Sequence, residues 1–257
     1  MTVRTRRTDA LVAAAGTVLL VAALSGCGSA EAEDSVTEHK SFAFGGEALT
    51  IDAENSALEL VPADVEQIEV TRRVGGWAFL GSGPDPVWKL EGDELKLQVK
   101  CRAMISNCEA YHEVKVPRGL ALTVRGDNGR ISAAGFATPL TISSDNGRVT
   151  VRDVSAPLDL SSDNGSIEAE RISGRSVIAR SVNGEVELAL SEVPDLVDTT
   201  SDNGSISIAL PGGQETYAVS AGTDNGRVSV DVPRSDSSRH VVKARSDNGE
   251  VTVRSAN

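Results

Sequence analysis

The chain has 257 residues, 40% of them apolar, 24% charged and 3% aromatic, with a formal net charge of -12. This is too polar for a polytopic membrane protein and too rich in Val, Ile and Leu for a disordered chain. The acidic excess argues against a phosphate backbone as partner, because a nucleic-acid binder needs clustered Lys and Arg. With 2 Trp, 2 Tyr and 4 Phe to serve the whole chain, the core must be built from small and β-branched side chains, which favours thin, regular architectures.

Arg4, Arg6 and Arg7 form a basic start, and an apolar run from Ala10 to Leu24 follows, broken only by Gly16 and Thr17. A run of about fifteen residues falls short of the roughly 20 needed to span a bilayer and suits the apolar region of a signal peptide. It ends in Leu24-Ser25-Gly26-Cys27, which resembles the lipobox of bacterial lipoproteins. The resemblance implies that residues 1–26 are a lipoprotein signal peptide, and that Cys27 carries the lipid and anchors the processed chain outside the cytoplasmic membrane. A secretory peptide with a chance Cys, or a buried helix, are the alternatives. Arg6-Arg7 leaves twin-arginine export open beside the general secretory route. Removing residues 1–26 takes away three Arg and one Asp, which moves the net charge from -12 to -14. Residues 28–37 are small and acidic, so residues 27–44 are expected to form a flexible tether that an anionic membrane surface repels.

Cys101 and Cys108 remain. Outside the cytoplasm, two Cys separated by six residues most simply form a local disulfide, closing a loop worth roughly 2 kcal/mol on the chain-entropy account. A metal role would need further ligands, and His112 is the sole candidate nearby. From Val74 to Val87 the chain carries Gly75, Gly76, Gly81, Gly83, Pro84 and Pro86, which reads as an excursion loop. Trp77, Phe79 and Trp88 gather around it. Such a cluster either caps the apolar end of the fold or, more weakly, contacts a ligand such as a sugar ring.

The strongest signal is an internal repeat. Asn-Gly occurs at Asn128-Gly129, Asn146-Gly147, Asn164-Gly165, Asn183-Gly184, Asn203-Gly204, Asn225-Gly226 and Asn248-Gly249, at spacings of 18, 18, 19, 20, 22 and 23 residues. Six are preceded by Asp; Val182 stands there once. Six residues before each Asn stand Leu122, Leu140, Leu158, Val177, Val197, Val219 and Val242, and three after it Ile131, Val149, Ile167, Val186, Ile206, Val228 and Val251. Alternation of period two on each side is the signature of strands with one buried face. The inward positions change parity at Asn-Gly, so the pair is a corner, with Gly expected to supply positive φ and Asn to bond local backbone. Two residues before the Asn the side chain is always small: Gly126, Ser144, Ser162, Ser181, Ser201, Thr223 and Ser246.

Asn-Gly between alternating strands is also the strongest hairpin signal, so an antiparallel hairpin sandwich is the alternative fold. Columns of constant residue size favour an all-β solenoid, a parallel β-helix-like stack of 18–23-residue coils about 4.8 Å apart, in which the stacked Asn side chains form an amide ladder. Leu49, Ile51, Leu58 and Leu60 repeat the columns around Asn55, and Trp88, Leu95 and Leu97 do so more weakly around Gly92. The solenoid therefore takes residues 45–257, with divergent coils at 45–120 and the seven repeats at 121–257. In such a stack Asp127, Asp145 and Asp163 would lie one rung apart. Calcium is one reading of that column; an Asx turn paired with Arg130, Arg148 and Arg227 is the favoured one.

The Ser-Asp-Asn-Gly-x-Val-x-Val units, with Val-Pro-Arg at 116–118 and 232–234, resemble a bacterial adhesin-like domain family of unknown function. The resemblance covers about residues 45–257 and implies display outside the cytoplasm on β-helical coils, without an established activity. The residues themselves point to no catalysis: His39, His112 and His240 lack the spacing of a metal motif or triad, and Ser and Asp recur at every corner. The expectation is a non-catalytic, lipid-anchored scaffold with no cofactor and no metal, bound to the membrane through its anchor and offering a solenoid face to an envelope protein or glycan, not to nucleic acid. An envelope-stress sensor acting through a membrane partner is the alternative. A polysaccharide-active β-helix enzyme is a second alternative that fold alone supports.

Overall fold

The computed structural model describes residues 36–256; the lipobox and Cys27 lie outside the described residues. Among the described residues every regular element is a strand. In chain order these are β1 (Glu38–Phe42), a coil of β2 (Ala48–Glu54) and β3 (Ser56–Ala63), and two long strands, β4 (Ile68–Glu91) and β5 (Glu94–Pro117). Seven two-strand coils follow: β6 (Ala121–Asn128) with β7 (Ile131–Ala134), β8 (Leu140–Asn146) with β9 (Val149–Arg152), β10 (Leu158–Asn164) with β11 (Ile167–Ile172), β12 (Ser176–Asn183) with β13 (Val186–Leu190), β14 (Leu196–Asn203) with β15 (Ile206–Leu210), β16 (Ala218–Asn225) with β17 (Val228–Asp231), and β18 (Val241–Asn248) with β19 (Val251–Ser255).

Each coil gives its first strand to one parallel stack and its second strand to another. Leu122, Leu140, Leu158, Val177 and Val197 are successive partners in the first stack; Ile131, Val149, Ile167, Val186 and Ile206 are successive partners in the second. The parallel register rules out the hairpin sandwich, whose neighbouring strands would run antiparallel. The inward columns merge into one core whose middle coils hold Ile142, Leu160, Ala179 and Val186 at 1% exposure or less. Uniform columns explain how so few aromatics suffice: each side chain packs on a like neighbour one rung away, so no large gap needs a ring to fill it.

Stack order departs from chain order at both ends. At the C-terminal end β14 pairs with β18, and β18 pairs with β16, so the last coil is slotted between the two before it. Burial follows position in the stack: Val242, Ala244, Val251 and Val253 of the inserted coil are at most 2% exposed, whereas Val228 of the outermost coil is 40% exposed. At the other end β2 lies between β5 and β6, and β3 between β5 and β7, so the coil made by β5 sits outside the one that precedes it in the chain.

β4 pairs antiparallel with β5 along nearly its whole length, and β1 pairs antiparallel with β4. This lid covers the N-terminal edge of the stack, which would otherwise expose a row of unpaired backbone groups. Three expectations are corrected here. Residues 38–42 belong to a strand rather than to the tether, because Lys40 and Phe42 pair with Val70 and Ile68 and Phe42 is buried. Gly92, with φ +61°, sits in the β4–β5 turn and is no coil corner; Leu95 and Leu97 pair with Ile51 and Ala53 in the first stack, before a corner rather than after one. Val74 to Val87 is not a loop but the outer part of β4, paired with β5 despite its Gly and Pro residues.

Candidate functional site

The corner is built from three columns. A Cβ on Gly147, Gly165, Gly184, Gly204, Gly226 or Gly249 would collide with the corner carbonyl of the coil stacked beneath, which is Gly129, Gly147, Gly165, Gly184, Gly249 and Gly204 respectively. Of the seven repeat glycines only Gly129 has a positive φ, 133°. The requirement for Gly is therefore close stacking of backbone on backbone, and the expectation of positive φ is corrected for the other six. The small column beside it supplies hydroxyls. Ser162, Ser181, Ser201, Ser246 and Thr223 donate to the carbonyls of Gly147, Gly165, Gly184, Gly204 and Gly249 at 2.9–3.4 Å, satisfying the carbonyl that the missing side chain lets so near.

Outside the corner the Asn amides form the ladder expected from the repeat. Asn225 donates to Asn248, Asn248 to Asn203, Asn203 to Asn183, Asn183 to Asn164 and Asn164 to Asn146 at 3.0–3.1 Å; Asn128 donates to Asn55 at 3.2 Å. The Asp residues ahead of them do not pair with the Arg two places after the Asn. Arg148 turns instead to Glu168 on the next coil, at 3.7 Å, because that residue lies on the same outward face. Among the described residues no three His, Cys, Asp or Glu come together as a metal site would need.

One flank of the second stack carries a shallow groove of about 580 Å³ along β3, β5, β7, β9 and β11. Tyr111 and Glu59 form one end, with the phenol donating to the carboxylate and the Arg73 guanidinium 4.6 Å from the ring centre. Burial and the Glu59 carboxylate push the Tyr111 phenol up to about 12, which keeps it a donor. Arg130, Arg148 and Arg152 run up the groove. Arg152 bonds Glu170 at 2.8 Å and faces Glu168 at 3.7 Å. The planar guanidinium groups of Arg130 and Arg148, whose backbones lie one rung apart, suit carboxylate or phosphate oxygens. Arg130 and Arg148 were visible as a column in the sequence; Tyr111 was not, because only the stack order brings β5 beside β3, and Arg152 was not, because it faces Ala134 and Glu170 and so repeats no column of Arg.

The aromatic residues separate. Trp88 packs against the core at the lidded end, with the Arg72 guanidinium stacked 3.9 Å above its ring; Arg72 in turn bonds Glu38 at 2.6 Å. Trp77 and Phe79 stand 51% and 56% exposed on the outer ribbon. That ribbon exists because β5 leaves the stack between residue 98 and residue 110, still paired with β4. Cys101 and Cys108 are bonded with Cα atoms 6.3 Å apart. Seven extended residues would span roughly 23 Å, so the strand doubles back between them and the disulfide staples the fold of the ribbon.

His39 and His112 lie opposite Thr71 and Arg72, neighbouring residues of β4, and thus on opposite faces of the lid; His240 belongs to the far end, with Nδ1 2.8 Å from the Pro194 carbonyl. His112 fills an inward position, in the column of Leu58 and Ile131, and is fully buried with neither ring nitrogen hydrogen-bonded. Burial, helped by the Arg72 charge, pulls its pKa down to about 4, so the ring is neutral.

The crystal structure of a candidate cell adhesion protein from Clostridium sporogenes is similar at 10% identity and a TM-score of 0.39, over 86% of this chain and all of that one. No curated protein matches. The family model described as Toastrack DUF4097 matches residues 106–257, all seven Asn-Gly coils and the part of β5 that pairs with β3. The chain belongs to the Toastrack DUF4097 family.

Proposed function

We propose that this protein is a non-catalytic scaffold, anchored by lipid on Cys27 to the outer face of the cytoplasmic membrane, which offers its solenoid flank to an envelope protein or glycan. The observation that carries the reading is the fixed spacing of outward side chains. Each coil repeats the same corner, so Arg130 and Arg148 are held one rung apart on a rigid surface, with Arg152 four residues along from Arg148 on the same coil, an arrangement suited to a partner with repeating acidic groups. Basic, apolar and lipobox segments in succession at residues 1–27 support the anchor.

The test has two arms. Cys27→Ala should move the protein out of the membrane fraction, and its retention there would remove the anchor. Arg130→Ala with Arg148→Ala should lower crosslinking of envelope material from intact cells. An unchanged crosslinking pattern would remove the flank as the binding surface.

A further inference from the structure

We propose that the tip of the stapled ribbon is a second membrane contact, one that dips apolar side chains into an anionic lipid surface; this rests on the anchored scaffold proposed above. Five large apolar side chains stand exposed at that one place: Trp77 (51%), Phe79 (56%), Leu80 (70%), Met104 (81%) and Ile105 (57%). Four of them are cross-strand neighbours, since Phe79 pairs with Ile105 and the flanking pairs Ala78–Ser106 and Gly81–Ala103 place Leu80 opposite Met104; Trp77, opposite Asn107, lies two residues before Phe79. No structural need keeps them there, because the core is closed without them. An apolar cluster left in water on a stapled ribbon is a binding feature.

Charge and size choose the occupant. Beyond Gly76 and Leu97 the ribbon carries Lys100 and Arg102, both exposed, against Asp85 alone, so its tip is locally basic on a chain of net charge -12. Each basic residue at an anionic bilayer adds about fivefold to binding, and Trp beside aliphatic side chains suits the boundary between headgroups and acyl chains. A protein partner of ordinary affinity buries about 800 Å² on each side, with about 20–30 residues. A ribbon two strands wide offers far less than that, whereas shallow insertion in lipid needs only a few side chains.

The tip can also reach. β1 begins at Glu38, opposite Arg72, and from there to Leu80 is at most about 26 Å along the strand. Eleven residues from Cys27 to Glu38 span at most about 40 Å. A lipid on Cys27 and the ribbon tip can therefore occupy one membrane plane, and together they would hold the solenoid at a set angle instead of on a free leash. Two weak attachments act as one strong one, by the logic that makes single acyl anchors depend on a second signal.

The chain has two Trp, so Trp88→Phe leaves Trp77 as the sole indole reporter. The protein as processed by the cell is mixed with excess vesicles of phosphatidylcholine and phosphatidylglycerol whose acyl chains carry bromine. Flotation reports the anchor; Trp77 emission reports the tip. The expected result is a blue-shifted Trp77, quenched by bromolipid and shielded from iodide. In the same Trp88→Phe background, Leu80→Asp and Met104→Asp, both in exposed positions, should each weaken bromolipid quenching of Trp77 about tenfold as judged by the lipid concentration required. Floating protein whose Trp77 stays open to iodide would leave the anchor standing and overturn the tip contact. Protein that does not float but whose Trp77 is quenched as lipid is added would do the reverse. Shielding of Trp77 that needs no vesicles and grows with protein concentration would assign the patch to a second copy and overturn the proposal.

Discussion

A Cβ on Gly165 would overlap the carbonyl oxygen of Gly147 on the coil below. The two residues are 18 apart in sequence and one rung apart in space, and the same relation recurs at five further corners. It sets how closely the coils can stack at that corner.

Gly165→Ala should therefore destabilise by at least ~1 to 3 kcal/mol, as for other overpacked interiors, even though its φ is not positive. Gly222→Ala adds a Cβ that meets nothing within 4 Å and should change stability by less than about 0.5 kcal/mol. Denaturant melts of both variants check this. Equal effects would mean that the corner tolerates a side chain and that Gly recurs there for another reason.

The amide ladder predicts a position effect. Asn183 both donates to Asn164 and accepts from Asn203, while Asn225, on the outermost coil, makes a single ladder bond. At roughly 0.5 to 1.5 kcal/mol for each net hydrogen bond, Asn183→Ala should cost about twice as much as Asn225→Ala. Thermal melts of the two variants give the ratio; a ratio near one would show that the ladder adds little beyond the backbone register.

His112 makes stability depend on pH. Its folded pKa is about 4 against an ordinary 6.5, so the unfolded chain binds the proton first as pH falls. Its contribution is complete above pH 6.5, is lost progressively as pH falls from about 6.5 to about 4, and levels off below, for a loss of ~3 kcal/mol. His112→Leu, which matches Leu58 and Ile131 in its column, should flatten this part of the profile and leave the variant the more stable at pH 5. Urea melts between pH 4 and pH 8 measure both profiles.

Reduction of Cys101–Cys108 should act locally. The bond closes a short loop in the ribbon, outside the core, and on the chain-entropy account constrains it by roughly 2 kcal/mol. Hydrogen exchange should rise at residues 77–87 and 99–109 after reduction and stay unchanged in β10 to β13. Loss of protection in the coils would place the disulfide in the stability of the whole stack.

Much of the fold was legible from particular columns. Leu122, Leu140 and Leu158, with Ile131, Val149 and Ile167, alternate on either side of each Asn-Gly, and alternation with constant size demands like-on-like stacking whatever surrounds it. The Asn ladder follows from the same register. The glycine was legible as necessary, but not for the right reason: a residue that must be Gly because of its own φ and one that must be Gly because a neighbouring carbonyl touches it look identical in a single chain.

Tertiary structure alone decided what lies at the ends of the stack. Since the columns are uniform, any coil can sit on any other, and nothing in the pattern at Val228 or Val251 says which is outermost; the longer connections at 211–217 and 232–240 let the chain skip a rung and return. The same freedom placed β5 outside β2, which put Tyr111 at the end of the groove that Arg130 and Arg148 line, buried His112 in a column of Leu and Ile, and carried Trp77 and Phe79 away from Trp88 on a projecting ribbon. Repetition determines the local fit between coils, because that energy depends only on nearest neighbours. The order of coils, and with it every site made where unlike segments meet, depends on contacts between residues far apart in the chain.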